Sequence, residues 1–232
     1  MADMLGKCFA LEGLECSGKT TLFKHLQKKY ENTNIAFIPE AAAHFFDKYE
    51  TNLNGNSAVE VGFMTYNSIA FDKAYTCINE GYNVIFDRSW LCQLVYSQAR
   101  ALLNSDYNFN TKYIEYQEEF FKDYYPEVFE NTIVVYLDLQ IDIILNRKSK
   151  STSRHPNQQK FDTEWLKNVY MIYNNRLNKA QKAGLKIEVI NSDKPVEEVA
   201  MDFDRLFRKY ASNIKHNSKS KTIFVLGKKG IQ

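Results

Sequence analysis

The chain has 232 residues, of which 44% are hydrophobic and 25% are charged, a composition typical of one globular domain rather than a disordered or fibrous protein. Its 30 basic and 28 acidic residues leave a net charge of +2, which argues against a polyelectrolyte that binds nucleic acid through bulk charge. The four cysteines form no C-x-x-C pair and no apolar run could span a membrane, so we expect a cytoplasmic protein with reduced thiols and no membrane contact.

The first predicted elements are a strand, a phosphate-binding loop and a helix. After an apolar run at residues 8–11, Gly13, Gly18, Lys19 and Thr20 fit the spacing G-x-x-x-x-G-K-[ST]. Glycines let consecutive backbone N–H groups face phosphate oxygens at the N-terminus of a helix. Lys19 would reach the outer phosphates, and the Thr20 hydroxyl would bind Mg²⁺. The spacing predicts a nucleotide site, although kinases, GTPases and motor ATPases share it. The predicted nucleotide-binding residues are Gly13, Glu15, Cys16, Ser17, Gly18, Lys19, Thr20 and Thr21.

The rest of the chain alternates apolar runs with helical patterns. Apolar runs predict further strands at residues 35–38, 83–86, 132–137 and 186–190. Helical patterns fall at residues 41–49, 57–78, 90–103, 112–125, 141–147, 161–182 and 195–210. Five short strands separated by helices predict an α/β fold of the P-loop type, with a five-stranded parallel sheet and helices on both faces. We expect one domain at residues 1–213. The basic tail at residues 214–232 is either an edge strand or a flexible end that docks on a partner.

Polar residues follow the second and third predicted strands, at the edge where parallel sheets bind ligands. Glu40 comes after the second strand, and Asp87 and Arg88 come after the third. Asp87 would hold Mg²⁺ through a water or cap the next helix. Arg88 would stabilise charge during phosphoryl transfer or form a structural ion pair.

A polar, basic stretch at residues 148–156 contains no apolar residue that could anchor it. It predicts a mobile lid at about residues 147–160, in which Arg147 and Arg154 would surround the transferring phosphoryl group and closure would exclude water. The alternative is a solvated charged loop.

The phosphate loop, the Asp-Arg pair and the arginine-flanked loop occur together and in this order, and here the chain resembles the thymidylate kinase and deoxynucleoside kinase superfamily over most of residues 7–210. Residues 11–15 are similar to the start of the thymidylate kinase phosphate loop, which implies that Glu15 faces the acceptor sugar. Asp87 and Arg88, with residues 94–96 after them, are similar to that family's Asp-Arg segment and the helix packed on the acceptor. Residues 136–139 and Arg147 are similar to the strand and arginine that lead into its lid.

The chain departs from thymidylate kinases where they bind the acceptor's phosphate. Their Arg-Glu-Pro after the second strand is replaced by Ile38, Pro39 and Glu40, and residues 64–68 are neutral where a further arginine is expected. Deoxynucleoside kinases place a carboxylate near the end of the second strand as the base for the sugar 5′-hydroxyl, a role that Glu40 could fill. Their phosphate loop, however, normally lacks an acid at the Glu15 position.

The sequence thus predicts a kinase that uses ATP and Mg²⁺ to phosphorylate a small-molecule nucleotide or nucleoside, with thymidylate as the first acceptor to test. The alternative is a deoxynucleoside kinase with Glu40 as its base. An alternative of another class is a regulatory P-loop protein that acts through its tail on a partner, and a homodimer is possible. The predicted catalytic residues are Lys19, Glu40, Arg88, Arg147 and Arg154, the acceptor-binding residues are Glu15, Glu40, Phe63, Tyr66, Asn67, Arg88 and Tyr96, and the metal-binding residues are Thr20 and Asp87.

Overall fold

A computed structural model of the chain describes residues 5–41, 57–103, 110–150, 163–211, 214–215 and 220–223. All of the helix predicted at residues 41–49 except its first residue lies outside this part of the chain. The predicted lid lies outside it from residue 151 onward, and so does its Arg154.

The described strands form one parallel sheet in the order β5-β4-β1-β3-β2-β6. Their bounds are β1 (Cys8–Glu12), β2 (Ile35–Ile38), β3 (Asn83–Asp87), β4 (Thr132–Asp138), β5 (Lys186–Asn191) and β6 (Lys221–Thr222). The parallel α/β fold of the prediction is confirmed, but the sheet has six strands where the sequence predicted five.

The sixth strand comes from the C-terminal tail and covers the edge of β2. Ala36 pairs with Lys221, and the Ile223 N–H donates to the Phe37 carbonyl at 2.9 Å. The Lys221 ammonium lies 2.8 Å from a carboxylate oxygen of Glu80, which fastens the strand to the end of a neighbouring helix. In the structure, Lys221 and Thr222 of the tail form this edge strand.

The described helices are α1 (Lys19–Lys29), α2 (Ser57–Asn79), α3 (Trp90–Leu103), α4 (Lys112–Tyr124), α5 (Pro126–Glu130), α6 (Ile141–Lys150), α7 (Thr163–Lys182) and α8 (Val196–Tyr210). None of them is long and apolar enough to cross a membrane. Helix α5 was not predicted from the sequence. It starts at Pro126 because a proline fits the first turn, where its missing N–H needs no partner. Helix α6 runs three residues further than predicted, and its final lysines suit the negative end of the helix dipole. Arg147, predicted both at the end of this helix and at the start of the lid, lies within the helix.

Both faces of the sheet are buried at the strands β1 to β4, which is why these strands read as nearly uninterrupted apolar runs. In β1, Phe9 and Leu11 pack with residues of α1 and α8, whereas Cys8 and Ala10 pack on the opposite face with residues of α2 and α3. Because every strand pair is parallel, all carboxyl ends reach one edge. That edge carries the phosphate loop and most of the predicted site.

Candidate active site

The phosphate loop adopts a conformation that two of its glycines require. Gly13 has φ +140°, and a Cβ atom there would lie 2.6 Å from the Leu137 carbonyl oxygen, so no other residue fits. Gly18 has φ +92° and precedes the first turn of α1. The loop therefore turns tightly from β1 into the positive end of α1, as the motif predicts.

Lys19 points into this loop. Its side chain is buried, and the ammonium donates to the Leu14 carbonyl and, at 3.0 Å, to the Ser17 hydroxyl. Burial, reinforced by the nearby Arg88, lowers the pKa of Lys19 to about 8. The ammonium group thus lies in the loop that is predicted to bind the phosphates of a nucleotide. It has no ion-pair partner among the described residues.

Thr20 and Asp87 lie side by side and could hold a magnesium ion. Asp87 is buried, and its Oδ1 atom has no hydrogen-bond partner in the described part of the chain. Burial and the nearby Glu40 raise the pKa of Asp87 to about 6, although Arg88, Lys19 and a hydrogen bond with the Thr20 hydroxyl act in the opposite direction. A free carboxylate oxygen beside a hydroxyl is a donor set that Mg²⁺ accepts, with waters and phosphates completing its shell.

Glu40 and Arg88 form an ion pair at the carboxyl ends of the adjacent strands β2 and β3. Oε1 of Glu40 lies 2.6 Å from Nε of Arg88, although the N–H is not aligned for a hydrogen bond. Both side chains remain partly accessible, at 24% and 15% exposure. The Glu40 carboxylate therefore stays partly accessible, close enough to Lys19 of the phosphate loop to affect the pKa of that lysine.

Arg88 is held on several sides. Its backbone has φ +72°, a left-handed conformation that a non-glycine residue rarely adopts, and its N–H donates to the Leu11 carbonyl at 3.1 Å. One guanidinium nitrogen donates to the Cys92 sulfur at 3.0 Å, and the guanidinium carbon lies 5.5 Å from the centre of the Tyr96 ring. Its direction is therefore fixed before any substrate arrives.

Two phosphate-loop residues have contacts that the motif does not reveal. Glu15 accepts a 3.2 Å hydrogen bond from the Trp165 indole through Oε1, while its Oε2 is buried without a partner among the described residues. Cys16 is exposed, and desolvation of its sulfur and the nearby Glu15 raise the pKa of its thiol. Glu15 thus keeps one oxygen for a ligand, whereas Cys16 lacks the lowered pKa of a reactive thiol.

Arg147 reaches the phosphate loop from α6. It donates to the Cys16 carbonyl at 3.4 Å and to the Ser192 carbonyl at 3.0 Å, and it lies 3.7 Å from Asp193. These contacts place it beside the predicted phosphates, but they also give it a structural role between the loop and the end of β5.

The predicted acceptor residues of α2 share one helix face. Tyr66 is buried and donates to the Pro39 carbonyl, next to Glu40, and half-buried Phe63 lies one turn earlier. Asn67 donates at 2.7 Å to Gln93, whose own amide group donates to the backbone of Glu60. The structure therefore brings α2, α3 and the end of β2 together on the acceptor side.

Four residues that complete the site were not predicted from the sequence. Glu12, at the end of β1, accepts hydrogen bonds from Ser89 and from Tyr173 of α7, and Trp165 of α7 contacts Glu15. Glu12 offered one signal, an acid at the end of an otherwise apolar strand. The two α7 residues offered none, because aromatic residues at helical spacing usually belong to the core.

Comparisons with known proteins show the family and the fold of this chain. The family model for deoxynucleoside kinases matches residues 9–215. A search of curated protein sequences found no match.

Thymidylate kinase from Candida albicans superposes with a TM-score of 0.64 at 17% identity, covering 93% of this chain and 97% of that chain. Deoxyadenosine kinase from M. mycoides, solved with the products dCMP and a flexible dCDP, gives a TM-score of 0.62 at 18% identity. The superposition covers 87% of this chain and 99% of that chain. The YorR protein of Bacillus subtilis, solved with phosphorylated GDP, superposes with a TM-score of 0.54 at 20% identity. The superposition covers 87% of this chain and 95% of that chain. At these identities the superpositions show a shared fold.

Proposed function

Because the chain belongs to the deoxynucleoside kinase family, we propose that it transfers the γ-phosphoryl group of ATP to the 5′-hydroxyl of a deoxynucleoside. The family and the fold make it a P-loop phosphotransferase of the nucleoside and nucleotide kinase class. The observation that carries the choice of acceptor is the ion pair of Glu40 with Arg88, 2.6 Å apart at the edge of the sheet.

Glu40 suits the role of general base. A sugar hydroxyl is a weak nucleophile and must lose its proton as it attacks, so it needs a base within hydrogen-bond reach. Glu40 offers a partly exposed carboxylate on the acceptor side, and Arg88 holds that carboxylate in place. Arg88 can then also stabilise negative charge on the transferring group.

The charges on the acceptor side weigh against an acceptor that already carries a phosphate. The Glu40 carboxylate is close enough to Asp87 to raise the pKa of that residue, and the Arg88 guanidinium is already paired with Glu40. A dianionic acceptor phosphate would be repelled by the Glu40 carboxylate or would have to displace it from Arg88. A neutral hydroxyl faces neither cost.

The phosphate loop supplies the nucleotide half of the reaction. Lys19 would pair with the outer phosphates of ATP, and Thr20 and Asp87 would hold Mg²⁺. With Mg²⁺ held by Thr20 and Asp87, the site would gain positive charge that offsets the negative charge of the phosphates. Arg147 contacts the loop at the Cys16 carbonyl, from where it could reach the same phosphates.

Thymidylate remains the second candidate acceptor, favoured by Glu15. The unpaired Oε2 of Glu15 is free to accept a hydrogen bond from an acceptor sugar, the role that resemblance to thymidylate kinases implies for it. In this alternative, Arg88 would bind the acceptor's phosphate, and Glu40 would have no proton to accept.

An acceptor screen distinguishes the two. The purified protein would be incubated with ATP, Mg²⁺ and each of the four deoxynucleosides or their monophosphates, and ADP release would be followed. We expect turnover with at least one deoxynucleoside and none with its monophosphate. Turnover of monophosphates alone would contradict the proposal.

A further inference from the structure

The carboxylate of Glu12 is the most enclosed acid near the site. Its side chain has no exposed surface, and burial raises its pKa. Oε1 accepts hydrogen bonds from the Ser89 N–H at 2.8 Å and the Ser89 hydroxyl at 2.6 Å, and Oε2 accepts one from the Tyr173 hydroxyl at 2.9 Å. A buried carboxylate is costly without such donors, so these bonds hold the three segments together.

One of these segments contains the strained backbone of Arg88. The left-handed φ of +72° persists only where neighbouring groups enforce it. Consecutive residues of β1 do so: the Leu11 carbonyl accepts from the N–H of Arg88 at 3.1 Å, and Glu12 accepts from the next N–H, that of Ser89. Glu12 thus binds the peptide group directly after the strained residue.

The side-chain direction of Arg88 follows from this backbone conformation. In it, the guanidinium reaches Glu40, Cys92 and Tyr96 together. A return of Arg88 to the usual negative φ would turn its side chain away from these partners.

We propose that Glu12 is a positioning residue for Arg88, acting through Ser89, with Tyr173 of α7 as its second anchor. The proposal rests on the proposed function only in assigning Arg88 a part in phosphoryl transfer. Glu12 itself touches neither substrate, since its carboxylate is enclosed by Ser89 and Tyr173.

Two substitutions of Glu12 separate hydrogen bonding from charge. Glu12→Leu removes the acceptors, whereas Glu12→Gln keeps an oxygen for Ser89 and offers an N–H to the Tyr173 oxygen. We expect kcat to fall roughly 10- to 100-fold in Glu12→Leu, because a displacement of about 1 Å costs a rate of that order. Glu12→Gln should restore kcat to within about threefold, and KM for ATP should change little in both. Equal losses of kcat in both variants would overturn the proposal.

A double-mutant comparison tests whether Glu12 affects kcat through Arg88. If it does, Glu12→Leu should cause no further loss of kcat in an Arg88→Ala background, because coupled residues are not additive. An equal loss in both backgrounds would mean a general structural role and would overturn the proposal. Ser97→Ala is the matched control for Ser89→Ala, since each hydroxyl donates at 2.6 Å to a buried glutamate but Ser97 bonds Glu60 and not Glu12. Only Ser89→Ala should lower kcat, and an equal fall in Ser97→Ala would count against the proposal.

A crystal structure of Glu12→Leu gives a readout that needs no activity. Arg88 should leave its positive φ, and its guanidinium should separate from Glu40. If Arg88 stayed at φ near +72° and paired with Glu40, the proposal would be wrong, even for a protein whose acceptor screen had supported kinase activity. A blank acceptor screen would instead count against the proposed function alone.

Discussion

The ammonium of Lys19 lies 3.0 Å from the hydroxyl of Ser17, folded back over its own phosphate loop. Replacing it should abolish turnover without unfolding the protein, because methionine matches the length of the aliphatic stem but brings no charge to the phosphates. We expect Lys19→Met to lower kcat by about a hundredfold or more, measured by ADP release, with an unchanged circular dichroism spectrum. Lys24→Met, on the exposed side of α1, is the control. Near-normal turnover of Lys19→Met would refute the assignment of the loop.

Asp87 should govern the response to magnesium. Asp87→Asn retains the size of the side chain but removes the charge of the unpaired oxygen beside Thr20. We expect the Mg²⁺ concentration that gives half-maximal rate to rise about tenfold or more, since hard cations prefer carboxylate oxygens. A magnesium titration of the rate at saturating ATP measures it. An unchanged titration midpoint would leave Asp87 as a cap of α3.

Arg147 should contribute more to the rate than to ATP binding, because charge on the transferring group is greatest in the transition state. We expect Arg147→Ala to lower kcat at least about tenfold while Kd for ATP changes less than about threefold. Arg205→Ala, which breaks a surface pair with Asp202, is the control for losing an arginine. If Arg147→Ala lowered thermal stability but not kcat, its bonds to Cys16 and Ser192 would be its whole role.

The edge strand β6 should stabilise the sheet through its backbone. Ile223→Pro removes the N–H that donates to the Phe37 carbonyl, whereas Ile223→Ala keeps it and loses only side-chain contacts. The free energy of unfolding in urea should be lower in the proline variant than in the alanine variant by about 1 kcal/mol, the usual net value of one hydrogen bond. Equal stabilities would mean that the tail contributes no backbone pairing in solution.

The sheet could be predicted because buried parallel strands leave a local pattern. The predicted bounds of β2 are those observed, since four apolar residues stand between turn formers. β6 could not be assigned in the same way, because a two-residue strand has no period of its own and forms only against the edge of β2.

The site was predictable to the extent that its residues follow motifs or strand ends. Lys19, Glu40 and Arg88 were predicted in this way, and the structure brings them together at the same edge. The partners of Glu12 were not, because Ser89 and Tyr173 lie 77 and 161 residues away along the chain and meet it only in the folded protein. Contacts of this kind leave no spacing in a single sequence.

Glu40 as the base that activates a deoxynucleoside is the central claim, and one rate comparison tests it most directly. Wild type, Glu40→Gln and the control Glu118→Gln, whose carboxylate pairs with Lys122 on the surface, would be assayed with thymidine and with thymidylate under saturating ATP and Mg²⁺. If thymidine is not turned over, the same pairs of deoxynucleoside and monophosphate follow for the other three bases. We predict that one deoxynucleoside is phosphorylated, that Glu40→Gln slows this about a hundredfold or more with little change in KM, and that Glu118→Gln does not. Turnover of the monophosphate instead, with Glu40→Gln nearly as fast as wild type and Arg88→Ala inactive, would contradict the account.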